Sequence, residues 1–442
     1  DMQLYVNTRG IKGGLIKTEA GLNHYVFTFS RTEVDAPDSA LVSSWDTAPT
    51  LHVSTLADMA AVGRLYQDAA RPKAAITPRI AELAKKLTAN IQDERTRVRT
   101  LHHWVAKNIR YVSVSLADGR LVPRPADSVL ENRYGDCKDH VVLLEAMLAA
   151  IGINSSPALI NSGDAYQLNQ VGVISPLNHV ITYVPSLDMY LDSTDQFAPM
   201  GTLAYELMDK PVVLTALNRL GRTPKMHPDT EQRRTEAQLE IQPDGSIVGS
   251  SVAHVKGIAE PSTRRRRFNA RHSGDEDVVR RLLERFNETG SGSLNFPPPE
   301  DLDQPFVVKT NFKLEPISNI PGRGAIKIPV GLAPGSIESI NVSNLKETRA
   351  TDYPCASYLI DEQYRISFPK SVKIEAIPKA ADYADDKIQY HSTYTRQGQE
   401  VVSHRKLRVE RASNVCTPED HLAWRKFLTA LKRDLRSQIF YR

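Results

Sequence analysis

Apolar residues in the middle of the chain recur with the period of a helix. From Cys137 onward, Val141, Leu144, Leu148 and Ile151 follow one another at steps of three and four, which predicts a helix with one buried face. The same period predicts helices over Arg79–Ala89 and Asp93–Asn108, and a last one after Thr417–Pro418 along Trp424, Leu428, Leu431 and Leu435.

Polar and apolar residues alternate elsewhere, as in strands. His179–Val184 and Met189–Asp192 flank Pro185–Asp188 and predict a hairpin in which Asp192 shares a face with His179, directly across or one diagonal step away. Thr289–Asp303, rich in Gly, Ser and Pro, is expected to be an exposed loop. Further strands are predicted at Leu4–Asn7, His24–Ser30, Leu51–Ser54, Leu239–Ile241, Ile247–Val248, Phe306–Leu314, Ala325–Val330, Tyr364–Phe368, Val372–Ala376, Ile388–Thr395 and Glu400–Glu410.

These elements predict an α+β protein in three parts. Residues 1–71 carry short strands and are expected to be the remainder of a β-rich domain with a connector. Residues 72–228 combine helices with the hairpin in a core, and residues 229–442 are expected to form a β-sandwich with a terminal helix. A chain of 442 residues is long enough for several such domains.

Cys137 stands where a reactive thiol is favoured, at the start of a predicted helix. Asp136 is a suitable N-cap, and Asp139 lies three residues later, as in a capping box. The free amides and dipole of the first turn favour negative charge, so we expect the pKa of the thiol to fall from about 8.5 toward neutrality or below. The same amides are suited to holding the oxyanion of a tetrahedral intermediate.

His179 and Asp192 supply the other groups that a cysteine nucleophile needs. One ring nitrogen of His179 would bond to the Asp192 carboxylate while the other faces the thiol. Asp195 is a second carboxylate that could substitute, but it would point to the other face of the strand. A lone Cys or His in such positions is more often structural, whereas the three together, in this order and context, favour catalysis.

Several motifs resemble the bacterial transglutaminase-like superfamily. They are Gly135-Asp136-Cys137-Lys138-Asp139, Asn178-His179-Val180 and Leu191-Asp192-Ser193-Thr194, preceded by Trp104, Asn108–Val112 and Asn132-Arg133-Tyr134. The resemblance covers residues 93–200 and is closest to the subgroup with an N-terminal β-rich domain called DUF3857. Ser193 stands where the family usually has Pro, which leaves the carboxylate in place.

The resemblance implies a papain-like or transglutaminase-like core with Cys137 as nucleophile, His179 as base and Asp192 as orienting acid. It gives Tyr111 a possible position near the oxyanion, and it implies a periplasmic or cell-surface location. The expected reaction is acyl transfer through a thioester, most simply hydrolysis of a peptide, isopeptide or amide bond in a protein or peptide substrate. Transfer from glutamine to an amine is the second reading, and a silent scaffold that binds peptide or glycan is the third.

Composition is that of a globular protein, with 41% hydrophobic and 24% charged residues. No apolar run approaches the ~20 residues that span a bilayer, so no transmembrane segment is expected. The first residues form a strand pattern and not a secretory leader, and we expect upstream residues to be missing from this sequence.

Cysteine, histidine and arginine patterns limit the partners. Three cysteines are too few for a disulfide framework, although Cys355 and Cys416 could pair in an oxidising compartment. The pair His102-His103 is expected to be structural, and we expect neither a metal nor another cofactor. The run Arg264–Arg267 is followed by acidic residues and has almost no aromatic residues interleaved with its basic ones, so we expect a solvated helical face and no nucleic-acid partner.

Overall fold

The computed structural model describes residues 2–32, 41–113, 121–271, 274–333, 335–340 and 347–442. The chain divides into two compact units, Asp1–Lys225 and Met226–Arg442. The domain boundaries expected near residues 71 and 228 stay predictions.

The strands of the first unit are β1 (Tyr5–Arg9), β2 (Lys12–Glu19), β3 (Leu22–Thr28), β4 (Thr50–Ser54), β5 (Arg110–Tyr111), β6 (Tyr134–Gly135), β7 (Ser156–Ile160), β8 (His179–Val184), β9 (Met189–Leu191), β10 (Pro211–Leu214) and β11 (Arg219–Arg222). Its helices are α1 (Ser44–Thr47), α2 (Met59–Ala70), α3 (Pro78–Thr88), α4 (Glu94–Asn108), α5 (Ala126–Asn132) and α6 (Cys137–Ala149).

Helix α6 forms the centre of the first unit. Helices α3, α4 and α5 pack on one side of it around Leu101, Val129 and Leu144. On another side, Val141 packs against Val180 of the antiparallel sheet, whose strand order is β11-β10-β7-β8-β9. The helix is therefore buried nearly all round, and the expectation of one buried face was too narrow.

The predicted hairpin is present as β8 and β9. Tyr183 pairs with Tyr190 across it, and the same register sets Asp192 opposite Ile181. Asp192 thus lies one diagonal step from His179, on the same face of the hairpin. The strands predicted in the first 75 residues are also present, since β1 pairs with β4 and β2 forms a hairpin with β3.

The second unit is rich in strands, and a long helix, Pro418–Leu435, comes before its last strand. Its strands are β12 (Gln232–Ile241), β13 (Ile247–Val255), β14 (Gly290–Asn295), β15 (Val307–Leu314), β16 (Gly324–Ile326), β17 (Tyr353–Pro354), β18 (Tyr358–Ser367), β19 (Ile374–Ala376), β20 (Ala381–Ala384), β21 (Ile388–Gln397), β22 (Glu400–Val409), β23 (Val415–Cys416) and β24 (Ile439–Tyr441). Its helices are α7 (Ala259–Ala270), α8 (Asp275–Glu284) and α9 (Pro418–Leu435).

An eight-stranded sheet with the order β14-β15-β13-β12-β18-β22-β21-β20 organises this unit. One of its faces is buried against α9, through Phe427 and Leu431, and against α8 and the three-stranded sheet β16-β24-β19. A disulfide joins Cys355 and Cys416. The predicted class, an α+β protein with strand-rich regions and a C-terminal helix, is confirmed.

Two sequence expectations in this unit were wrong. The segment Thr289–Asp303, expected to be a loop, contains the edge strand β14, which pairs with β15. The glycines of β14 do not form turns, because they let its backbone lie close to β15. A Cβ on Gly292 would lie 2.6 Å from the Asn311 carbonyl oxygen. The arginine run is not a fully solvated face either. Arg264 is completely buried. Its guanidinium is satisfied there by Glu260, 2.7 Å away, and by the backbone carbonyl oxygens of Asp301 and Gln304.

Within the described ranges, no helix has the length and apolar character needed to cross a membrane. Those same ranges contain no group of three or more His, Cys, Asp or Glu side chains arranged to hold a metal ion.

Candidate active site

Cys137 is the first residue of α6, and the predicted capping box holds the start of that helix. The Asp136 side chain accepts from the Asp139 amide, and the Asp139 side chain accepts from the Asp136 amide at 3.1 Å. Nε and Nη2 of Arg124 both donate to Asp139 Oδ2, at 3.1 and 2.8 Å. These bonds fix the backbone from which the free, partly exposed thiol of Cys137 projects.

The hairpin brings His179 and Asp192 together beside that thiol. His179 Nε2 lies 3.0 Å from Asp192 Oδ2, and His179 also hydrogen-bonds with Cys137. Because Asp192 engages Nε2, Nδ1 is the nitrogen left for the sulfur. The structure thus brings together all three residues singled out in the sequence.

Charge is strongly coupled within this group. Burial alone would lower the pKa of His179, but the Asp192 charge and the contacts with Asp192 and Cys137 raise that pKa to about 10. Burial would raise the pKa of Asp192, yet His179 and Thr194 hold it well below its usual value. An imidazolium paired with the Asp192 carboxylate is therefore the stable form at neutral pH.

Asp192 is positioned by neighbours that sequence reasoning did not assign to the site. Its Oδ1 accepts from the Thr194 hydroxyl at 2.6 Å and from the Thr194 amide at 3.0 Å. His102 donates to the Asp192 backbone carbonyl, and His140 Nδ1 lies 2.9 Å from the Ser193 carbonyl oxygen. Burial lowers the pKa of both imidazoles to about 4, so both are neutral donors at pH 7. Only the structure shows the contacts of His102 and His140, since these residues are far from Asp192 in sequence, whereas Thr194 is only two residues away.

Asp195, the other carboxylate considered, has a local structural contact. Its Oδ1 accepts from the Phe197 amide at 3.0 Å, which caps the turn after β9. The bond to His179 is made by Asp192.

Two backbone amides next to the sulfur are available to a ligand. The capping box uses the amides of Asp136 and Asp139, and the His140 amide bonds to the Asp136 carbonyl oxygen. The amides of Cys137 and Lys138 have no partner in the described part of the chain, so they can donate to an oxyanion. Tyr111 is nearby, because β5 pairs with β6 directly before the motif; burial, followed by the charges of Cys137 and Asp136, raises the pKa of its phenol to about 12.

A cavity of about 610 Å³ opens at Cys137 and His179. Most of its wall is apolar and comes from α2, β7 and the segment before β8. Its apolar lining includes Val62, Leu65, Leu159, Ile174, Leu177 and Val180. A cavity of this size, with few polar groups beside a nucleophile, suits a side chain or short segment of a larger substrate.

Comparisons with known families agree with this architecture. Residues 81–173, which include Cys137, match the family model of the transglutaminase-like superfamily. Residues 329–441 match a model for a domain of unknown function, DUF3858. The core is therefore transglutaminase-like, as predicted, while the expected likeness of the N-terminal residues to DUF3857 stays a prediction. No curated protein matches the chain.

Two solved structures are similar in part. A protein from Parabacteroides distasonis described as "a putative protease" is 14% identical and has a TM-score of 0.68. The match covers 100% of the present chain and 70% of the Parabacteroides chain. A "putative cysteine protease" from Cytophaga hutchinsonii is 16% identical, with a TM-score of 0.21 over 44% of this chain and 65% of its own. The first likeness shows a shared fold, and the second is too low to support an argument.

Proposed function

We propose that this protein is a cysteine-dependent acyl-transfer enzyme that hydrolyses a peptide, isopeptide or amide bond. Cys137 is the nucleophile, His179 the general base and acid, and Asp192 the group that orients His179. The observation that carries this proposal is the contact of His179 with both Asp192 and Cys137 at the start of α6. The transglutaminase-like core and the described name of the Parabacteroides protein are consistent with it.

The first half of the reaction forms a thioester. The Cys137 thiolate attacks the substrate carbonyl carbon, and the amides of Cys137 and Lys138 donate to the resulting oxyanion. His179, protonated at the start, gives its proton to the leaving amine as the carbon–nitrogen bond breaks. The acyl group is then bonded to the sulfur and the amine is free.

The second half returns the enzyme to its starting state. Neutral His179 takes a proton from a water molecule, whose oxygen attacks the thioester carbonyl. Collapse of this intermediate releases a carboxylic acid and the Cys137 thiolate, which again pairs with the imidazolium. Asp192 keeps the ring oriented through both halves.

Substrates are proposed to be proteins or peptides with an apolar side chain near the scissile bond. The apolar wall formed by Val62, Leu159 and Leu177 beside Cys137 supports this choice, because burying such a side chain contributes binding energy of about 1.5–3 kcal/mol. A broad peptide mixture is therefore a suitable first probe.

The test incubates the purified protein with a proteome-derived peptide mixture, with and without a primary amine probe, and reads the products by mass spectrometry. We expect new peptide termini or deamidated side chains with wild type, and a loss of at least about 10³-fold in Cys137→Ala. Circular dichroism checks that the variant is folded. Amine incorporation in place of hydrolysis would support transfer, and no product in either arm would favour a binding scaffold.

We also propose that the protein works in the periplasm or at the cell surface. The disulfide between Cys355 and Cys416 supports this, since such bonds persist mainly in oxidising compartments. Fractionation of producing cells tests the location, and recovery of the protein only in the cytoplasm with both thiols reduced would contradict it.

The strands β1 to β4 are proposed to belong to a DUF3857-like β-rich domain. Their pairing as β1 with β4 and β2 with β3 supports a β-rich region at this end of the described chain. Superposition on a solved DUF3857 domain tests the proposal, and a different strand order there would contradict it.

A further inference from the structure

A second cavity, of about 570 Å³, lies within the second unit and has no part in the proposed reaction. It is formed by β12, α7, α8 and the segment around Gly331. Five arginines line it. Arg233 comes from β12, Arg266 and Arg267 from α7, Arg281 from α8 and Arg285 from the end of α8. Such a density of one charge in a concave site raises the local concentration of anions.

These five arginines differ from their neighbours on the same helices. Arg264 pairs with Glu260 at 2.7 Å, Arg271 pairs with Glu300 at 3.3 Å, and Arg280 pairs with Asp277 at 3.0 Å. Among the residues that the structure describes, none of the five cavity arginines has a carboxylate within ion-pair distance. The arginines with an ion pair are thus neutralised by their own carboxylates, while those that line the cavity are not, although Arg266 also donates to the Thr263 hydroxyl.

Arg267 is the most buried member of this group. Its side chain is 8% exposed, and its Nε has no hydrogen-bond partner within the described ranges. Burial, followed by the charge of Arg266, lowers the pKa of Arg267 to about 10, and Asp275 opposes this. The Arg267 guanidinium lies over the Phe296 ring at 5.9 Å, but its buried Nε–H has no acceptor in the described ranges, so a group that accepts this hydrogen bond would be bound favourably.

The other arginines repel one another in the same way. Burial and then the charges of Arg233 and Arg285 lower the pKa of Arg266. The pKa of Arg233 is lowered first by burial and also by Arg285, against the opposing effects of Tyr358 and Glu231. An anion between these guanidinium groups would remove the repulsion and accept charge-assisted hydrogen bonds from several of them at once.

Apart from the arginines, Thr263 and Ser339, the wall is formed by apolar residues and glycines. It includes Val255, Val278, Leu282, Phe286 and Leu332. The volume falls in the range of about 300–1,000 Å³ that is usual for small-molecule sites. We propose that this cavity binds a small organic anion with two or more phosphoryl or carboxylate groups, held by the converging arginines, with its apolar part against these side chains.

The test uses isothermal titration calorimetry on the full chain at constant ionic strength, with inorganic tripolyphosphate and citrate as probes and sodium chloride as reference. Arg285→Gln removes the cavity arginine that directly follows α8, and Arg280→Gln is the matched control, an exposed arginine on that helix that pairs with Asp277 and Glu284. We expect saturable binding of at least one probe to wild type. The affinity should fall about tenfold in Arg285→Gln and less than about twofold in Arg280→Gln.

Thermal unfolding of the same variants provides the second measurement. Both variants change exposed side chains and should unfold near the wild-type temperature. The bound probe should raise that temperature by more in wild type and in Arg280→Gln than in Arg285→Gln at the same probe concentration. Tighter binding of tripolyphosphate would point to a phosphorylated ligand, and tighter binding of citrate to a polycarboxylate. The proposal is overturned if neither probe binds beyond the chloride reference, or if the two variants lose affinity equally.

Discussion

At the scale of single residues, the side chains around His179 depend on one another's charge. Asp192 is the partner that keeps this imidazole protonated, and the imidazolium lies beside the Cys137 sulfur that the proposed reaction uses. His102 and His140 contribute differently, since they are neutral and hold the backbone that carries Asp192. Removing one charge should therefore change both the reactivity of the thiol and the stability of the fold.

Asp192→Asn tests this coupling. The raised pKa of His179 means that its contribution to stability is fully present below about pH 6.5 and is lost as pH rises toward about 10. We expect the variant to have a free energy of unfolding lower than that of wild type by on the order of 2 kcal/mol at pH 6, and the difference to shrink toward pH 10. Urea unfolding of both proteins across this range measures it.

The same variant should react more slowly with iodoacetamide. We expect the labelling rate of Cys137 at pH 6–7 to fall by at least about tenfold, because His179 loses the carboxylate that keeps it charged and oriented beside the sulfur. Asp195→Asn is the control, since Asp195 caps a local turn at Phe197. Equal effects of the two substitutions on the labelling rate would show that Asp192 has no special role.

At the scale of elements, the start of α6 depends on Asp139. This one carboxylate, 2% exposed, accepts from the Asp136 amide and also binds the backbone and guanidinium of Arg124. The segment before the helix and the helix itself are therefore joined at the residue group that orients Cys137. A change here should act on stability and on the position of the thiol together.

Asp139→Ala should lower the free energy of unfolding by about 2–4 kcal/mol, because it removes a cap and leaves Arg124 without its buried partner. Arg124→Gln keeps the capping box and should cost less, about 1–2 kcal/mol. Chemical denaturation of both variants gives the comparison. A loss in Asp139→Ala no larger than in Arg124→Gln would show that the capping box contributes little.

At the scale of the whole molecule, the disulfide between Cys355 and Cys416 closes a long segment of the second unit, with a sequence separation of 61. Replacing both cysteines with Ser should lower the free energy of unfolding by about 2–4 kcal/mol, as the unfolded chain gains entropy. Iodoacetamide labelling of Cys137 in the same sample should be unchanged, since its contacts come from the first unit. A changed labelling rate, or unaltered stability, would contradict this expectation.

Much of the site was predictable from the sequence because its signals are local. The capping box of α6 needs only Asp136 and Asp139, and the facing positions of His179 and Asp192 follow from the alternation and length of one hairpin. The broad class was also predictable, since helical and strand periods are separated along the chain. The catalytic roles themselves stay a proposal.

What the sequence did not reveal depends on contacts between distant segments. Strand β7 is buried throughout and so has no alternation to mark it. The glycines of β14 look like turn residues until β15 is known to lie against them. Arg264 and Arg267 have the same side chain and helix as their exposed neighbours, and only tertiary packing decides that they are buried.

The large sheet is antiparallel except at one pair, where β12 and β18 run parallel at its middle. On either side of this pair, the strands are joined by antiparallel neighbours, many of them consecutive in the chain. The two halves can form early, but their union requires ordering a long stretch of intervening polypeptide. Until β18 has been synthesised, the backbone N–H and C=O groups along one edge of β12 lack the strand that pairs with them in the native sheet. A strand of another chain can pair there instead, so we expect the protein to be most prone to aggregation before β12 and β18 join.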